Sequence, residues 1–156
     1  MRSDFNEIVK SYLGTYEVAN KEVVGQFFKG ARNSWVTRTS EKFSSRYAWC
    51  AAFIYTMLKK AGKEPKYMPT AETIRAKSYI PEENGGLFKG ASVLLDEAKE
   101  GDIIVLRRGR NMYHVGTYVS HDKGFIIVRG GNQSNRVKES KYFESALVDI
   151  VDYDSI

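Results

Sequence analysis

At Gly101 the hydrophobic period of this chain changes, and that change limits the fold more than any other feature. Before it, apolar residues recur at helical spacing. After it, they run together or alternate. Residues 102–107 (DIIVLR) are an apolar run suited to a buried strand, and 113–120 (YHVGTYVS) alternate. A turn at His121-Asp122-Lys123-Gly124 leads back through 125–129 (FIIVR), and a last strand is expected at 147–152 (LVDIVD). Four strands after a helical half predict an α+β fold, with N-terminal helices packed on a C-terminal antiparallel sheet.

In the helical half, Asp4 is placed as an N-cap with Glu7 at the capping-box position. Phe5, Ile8, Val9 and Leu13 then share a face and Gly14 stops the helix. A short helix is expected over 21–29. The clearest helix is predicted over 45–61, capped by Ser44 or Ser45 and carrying Trp49, Ala52, Phe53, Met57 and Ala61 on one face. Lys59 and Lys60 complement its C-terminal dipole, and Gly62 ends it. Pro69-Thr70 opens a further short helix through about Tyr79, and Asn84-Gly85-Gly86 reads as a loop.

A length of 156 residues predicts one domain over 1–156. With 42% hydrophobic, 13% aromatic and 28% charged residues, the composition excludes a disordered or low-complexity chain. No apolar run nears the roughly 18 residues of a membrane span. The opening MRSDFNEIVK has no apolar core and does not read as a secretory signal peptide. A single cysteine excludes an intramolecular disulfide, and one Cys with two His cannot build a four-ligand zinc site of the Cys/His type. The net charge of +5 favours an acidic partner (nucleic acid, anionic lipid or anionic wall polymer) or simply serves solubility.

Cys50 lies early in the strongest predicted helix, where backbone N–H groups and the dipole favour a reactive thiolate. A free cysteine is as readily a small buried hydrophobe. Histidine is the natural proton acceptor near neutral pH, and His114 lies on an alternating strand. A hairpin turn at 122–123 sets His114 opposite Gly131, and a three-residue loop at 122–124 sets it opposite Asn132. Either register brings the Asn132 amide within reach of the ring. That amide would accept from one imidazole nitrogen, fixing the tautomer and leaving the other nitrogen for Cys50, a Cys-His-Asn variant of triad logic. The alternatives are a half-exposed strand histidine and a turn asparagine after Gly130-Gly131. His121 at the hairpin tip is the weaker candidate. Tyr47, Trp49 and Tyr113 either wall a substrate cleft or pack in the core. Arg107, Arg108 and Arg110 either meet acidic groups or line a solvated loop.

The segment 47–53 (YAWCAAF), running into a helix that ends Lys-Lys-Ala-Gly, resembles the nucleophile segment of CHAP domains, cysteine- and histidine-dependent amidohydrolases/peptidases related to the NlpC-type cell-wall peptidases. GDIIV at 101–105 is similar to that family's first core strand and HVGTYV at 114–119 to its histidine strand. GGNQSN at 130–135 is similar to the turn bearing the third polar residue in one CHAP-like subgroup. The resemblance covers about 45–150. It implies a papain-like fold with Cys50 as nucleophile, His114 as base and Asn132 as orienter, acting without cofactor or metal. It also implies peptidoglycan amide hydrolysis, as a muramoyl-alanine amidase or endopeptidase, with no nucleic acid and no membrane span. The expected setting is a phage endolysin or an injected antibacterial toxin, made in the cytoplasm and acting at the wall or periplasm. A toxin would bring an immunity or inhibitor protein as partner. Rival readings are a Cys-His acyl-transfer or deamidating effector acting on protein, and a non-catalytic basic wall-binding module.

Overall fold

A computed structural model describes residues 1–31, 48–63, 65, 73–81 and 88–156. It is α+β. Among the described residues three α-helices, α1 (Arg2–Ser11), α2 (Lys21–Gly30) and α3 (Cys50–Lys60), precede a sheet of five antiparallel strands. The strands are β1 (Ile103–Gly109), β2 (Met112–Asp122), β3 (Phe125–Gln133), β4 (Arg136–Phe143) and β5 (Leu147–Val151), in the order β4-β3-β2-β1-β5. β4 was not expected from the sequence. Its exposed residues Glu139, Lys141 and Phe143 alternate with the only partly buried Lys138, Ser140 and Tyr142, so it lacks the apolar run that marks the other strands. None of the helices is long and apolar enough to cross a membrane.

Two helix starts differ from expectation. α1 begins at Arg2 with Met1 as cap, and the Met1 amine binds Asp4 Oδ2 at 3.0 Å, so Asp4 sits inside the first turn. α3 begins at Cys50 with Trp49 as cap. Ser44, Ser45, Pro69-Thr70 and Asn84-Gly85-Gly86 lie outside the described residues. Ala76–Tyr79 forms a single 3₁₀ turn.

All nine residues from Cys50 to Leu58 are buried, as expected of a helix that is apolar nearly all round. α3 therefore lies between α1 and α2 on one side and β2 and β3 on the other. Phe27 of α2 stacks on Trp49 at 5.8 Å and meets Phe53 edge-on at 5.1 Å. A smaller apolar cluster of Ile104, Leu106, Tyr118, Ile126, Val128 and Ile150 fills the opposite sheet face. Arg2 pins the start of α1 to the end of the sheet where β1 begins and β5 finishes. Its guanidinium donates to the buried Asp102, to Asp152 at 2.8 Å and to Asp154 at 3.0 Å.

The turns set the register. β2 and β3 close on the pair Asp122↔Phe125, leaving Lys123 and Gly124 as a two-residue turn with φ of 49° and 81°. Both values are left-handed, as the favoured hairpin turn requires. Ser134 and Asn135, at 51° and 61°, close β3 on β4 in the same way.

Candidate active site

α3 presents Cys50 as its first residue, buried in the core between the helices and the sheet. β2 pairs with β3 only as far as Thr117↔Arg129. Beyond that pair β3 continues through Gly130, Gly131 and Asn132, where its pairing with β4 also slips between Gly130 and Gln133. Gly131 permits the close approach of α3. A Cβ there would lie 2.7 Å from the Trp49 ring and 2.9 Å from Phe53 Cβ. Tyr118 exchanges backbone hydrogen bonds with the Gly101–Asp102 segment leading into β1. By the alternation of an antiparallel ladder, Val115 therefore points its N–H toward β3. With β3 displaced, that N–H reaches the Cys50 sulfur instead.

The residue before Val115 is His114, which is fully buried. Its ring stacks on Tyr142 at 5.7 Å, and its Nε2 lies 2.9 Å from Gln133 Oε1. The surroundings fix the orientation of the Gln133 amide. Its NH₂ group donates to the carbonyls of Val128 and Lys138, and its oxygen also accepts from the Tyr142 hydroxyl at 3.0 Å. Carbonyls only accept, so the amide oxygen faces the ring, and Nε2 must carry the proton. The remaining nitrogen, Nδ1, then holds a bare lone pair, and it has no hydrogen-bond partner. No hydrogen bond joins it to the thiol: His114 pairs with Leu106 and faces the second apolar cluster, whereas Cys50 packs on the α3 side of the sheet.

The side chain that meets the His114 ring is thus Gln133, one position beyond the expected Asn132. Asn132 has a left-handed φ of 55° and is only half-buried. The irregularity that contains it advances the side-chain phase of β3 by one, which turns the next residue toward His114. The hairpin register alone does not reveal it: a slip between Tyr118 and Ser120 sets His114 level with Asn132, and the second irregularity, between Gly130 and Gln133, brings Gln133 to the ring.

The aromatic expectations divide. Trp49 has no exposed surface and donates Nε1–H to the buried Glu17 at 3.0 Å, so it is a core residue, not a cleft wall. Burial raises the Glu17 carboxyl pKa, and the Trp49 bond partly opposes that rise. Tyr113 is half-buried, with Arg107 5.6 Å and Lys77 5.8 Å from its ring centre. Tyr47 lies outside the described residues. His121 belongs to a separate group, accepting from or donating to the Tyr118 hydroxyl at 2.6 Å, with Asp96 at 3.4 Å.

The resting charge state is neutral on both sides. Burial pushes the Cys50 thiol pKa up, against the lowering effect of the Val115, Ala51 and Cys50 N–H groups. The expected thiolate at the helix start is therefore corrected: desolvation outweighs the dipole. Burial likewise lowers the His114 pKa to about 4, against the Gln133 bond, and the Arg108 charge adds to the lowering. Tyr79 braces the first turn of α3 by donating to the Ala51 carbonyl at 3.1 Å. Among the described residues, no group of three His, Cys, Asp or Glu side chains is placed to hold a metal ion. No family model matches the chain, and no curated protein or solved structure matches it.

Proposed function

We propose that this chain is a thiol-dependent amidohydrolase of the CHAP type, with a papain-like fold, that cleaves an amide bond of peptidoglycan. One observation carries the reading. Gln133 fixes the His114 tautomer so that a bare Nδ1 lone pair lies next in the chain to the amide that meets the Cys50 sulfur. A buried acceptor without a partner is rare in native proteins and calls for an explanation, which a role as proton acceptor supplies.

The chemistry is acyl transfer. His114 and Cys50 face opposite sides of the sheet at rest, and the proposed reaction requires substrate binding to bring the sulfur and Nδ1 together where the pairing of β2 with β3 ends. The thiol proton passes to Nδ1 as the sulfur attacks the amide carbonyl. His114 then gives that proton to the leaving amine, and a thioester remains on Cys50. Water, deprotonated by His114, attacks the thioester and releases the acid and the thiol. Gln133 holds Nε2–H throughout but lends no negative charge, so the imidazolium is only a transient. The peptidoglycan substrate rests on the resemblance of residues 47–53, 101–105, 114–119 and 130–135. A phage lysin or an injected toxin, the latter with its own immunity protein, fits that substrate.

The test is turbidity loss of purified peptidoglycan. Cys50→Ala is expected to abolish lysis while leaving the circular dichroism and thermal transition intact, and mass spectrometry of released muropeptides identifies the bond. Undiminished lysis by Cys50→Ala overturns the nucleophile assignment. Modification of a protein glutamine, with no action on peptidoglycan, moves the substrate to protein. Salt-dependent wall binding without any bond cleavage leaves only the binding-module reading.

A further inference from the structure

α2 and α3 approach closely where Gly30 meets Thr56. A Cβ at Gly30 would lie 2.5 Å from Thr56 Oγ1, and that hydroxyl donates to the Phe27 carbonyl at 2.9 Å. Residues three and four apart share a helix face, so Gln26 lies with Lys29 and Gly30 on α2, and Thr56 with Lys59 and Lys60 on α3. These two faces, with Tyr12 and the buried Phe27, line a cleft of about 580 Å³. Tyr12 packs edge-on against Phe27 at 5.4 Å. Lys29, Lys59 and Lys60 are exposed, and among the described residues no acid lines the cleft or pairs with any of them. The Tyr12 hydroxyl and the Gln26 amide are likewise without a hydrogen-bond partner. Lys10 and Lys63 differ, the first held by Glu7 and Glu100 and the second by the Tyr153 carbonyl.

A lysine in the last turn complements a helix dipole, but three exceed what two dipoles can balance. Two helix C-termini carry about one negative charge between them. Three ammonium groups therefore leave an excess of about two positive charges, and a concave surface of one sign concentrates the field. A phosphate monoester carries about 1.5–2 negative charges near neutral pH, which matches that excess. Ammonium groups act on phosphate as point charges, whereas a planar carboxylate favours the fork of an arginine, and no arginine lines the cleft among the described residues. The volume falls within the roughly 300–1,000 Å³ of small-molecule sites. We propose that the cleft between α2 and α3 binds a small phosphorylated molecule, its phosphate held by Lys29, Lys59 and Lys60 and its organic part resting against Tyr12 and Phe27. The site lies toward the end of α3 opposite Cys50 and is independent of the amidohydrolase reading.

The experiment titrates the full chain with phenyl phosphate and, in parallel, with the singly charged phenyl sulfate. Binding is followed by calorimetry and by amide nitrogen-15 spectra. The variants are Lys29→Gln, Lys59→Gln and, at the far end of α2, Lys21→Gln. The wild type is expected to bind the phosphate about tenfold more tightly than the sulfate, with spectral shifts centred on Gly30 and Lys59. Lys29→Gln and Lys59→Gln are each expected to weaken phenyl phosphate by about tenfold, the scale of one charge-assisted hydrogen bond, with the thermal transition unchanged. Lys21→Gln is expected to bind as the wild type does. Equal affinity for the two esters overturns the proposal, and so do shifts centred away from the cleft. Equal weakening by Lys21→Gln also overturns it, by reducing the effect to net charge. A wild type that does not bind phenyl phosphate at millimolar concentration overturns it as well, including when a long polyphosphate chain binds, which reassigns the face to a polyanion.

Discussion

Replacing Gln133 with leucine removes the amide and keeps most of its volume. The wild-type side chain makes four hydrogen bonds: to His114, Tyr142, Val128 O and Lys138 O. The leucine strands the buried Nε2–H of His114, and each buried group so stranded costs about 1–3 kcal/mol. The ring escapes part of that cost by moving its proton to Nδ1, the atom that must accept from Cys50. The kinetic loss should match a missing hydrogen bond to a group that becomes charged, about 1.5–3 kcal/mol, or about 10- to 150-fold in kcat/KM. The assay joins wall-lysis rates to nitrogen-15 spectra of histidine-labelled protein near neutral pH. The wild type should show a proton on Nε2 and a lone pair on Nδ1, and the variant should show the reverse or a mixture. A wild-type spectrum with the proton on Nδ1 refutes the tautomer argument, and so does a variant with unchanged rate and spectrum.

Other outcomes follow from the same geometry. Cys50→Ala should retain the fold and lose lysis of purified peptidoglycan. The folded pKa of His114 lies below its usual value, at about 4, so the unfolded chain takes up this proton first as pH falls. The neutral ring's contribution is full above about pH 6.5 and declines toward pH 4, by about 3 kcal/mol in total. Urea unfolding at both ends of that window should show the decline in the wild type and a smaller one in His114→Gln. Gly131→Ala places a methyl group against Trp49 and Phe53 and should cost about 1–3 kcal/mol, seen as a lower Tm with the helix content preserved.

The fold was readable where pattern and burial agree. The apolar run at 102–107 became β1 because both of its faces are covered, by α3 on one side and the Ile104–Leu106 cluster on the other. The return strand from Phe125 and the last strand from Leu147 began where expected for the same reason. β4 escaped because an edge strand with one wet face carries little hydrophobic signal. Cys50 and His114 stood out in the sequence as the one thiol and one of only two imidazoles. Gln133 did not, because a one-residue irregularity decides whether 132 or 133 turns inward, and propensity does not encode it. The charge state of Cys50 was misjudged for a similar reason. A helix start is visible in sequence, but the depth of the sulfur (3% exposed) is a property of the packed whole. Trp49 sits one residue before the thiol yet serves the core, because its partners Phe27 and Glu17 come from segments distant in the chain.

The protonated form of the lone sulfur has a consequence for survival. Peroxides and electrophiles attack the anion far faster than the thiol, so a cysteine held protonated and under cover ages slowly between turnovers. A chain with no second cysteine has no disulfide in which to park an oxidised sulfur and no neighbour to rescue it. A sulfur kept protonated and under cover lets the chain pass through oxidising surroundings with its one thiol intact.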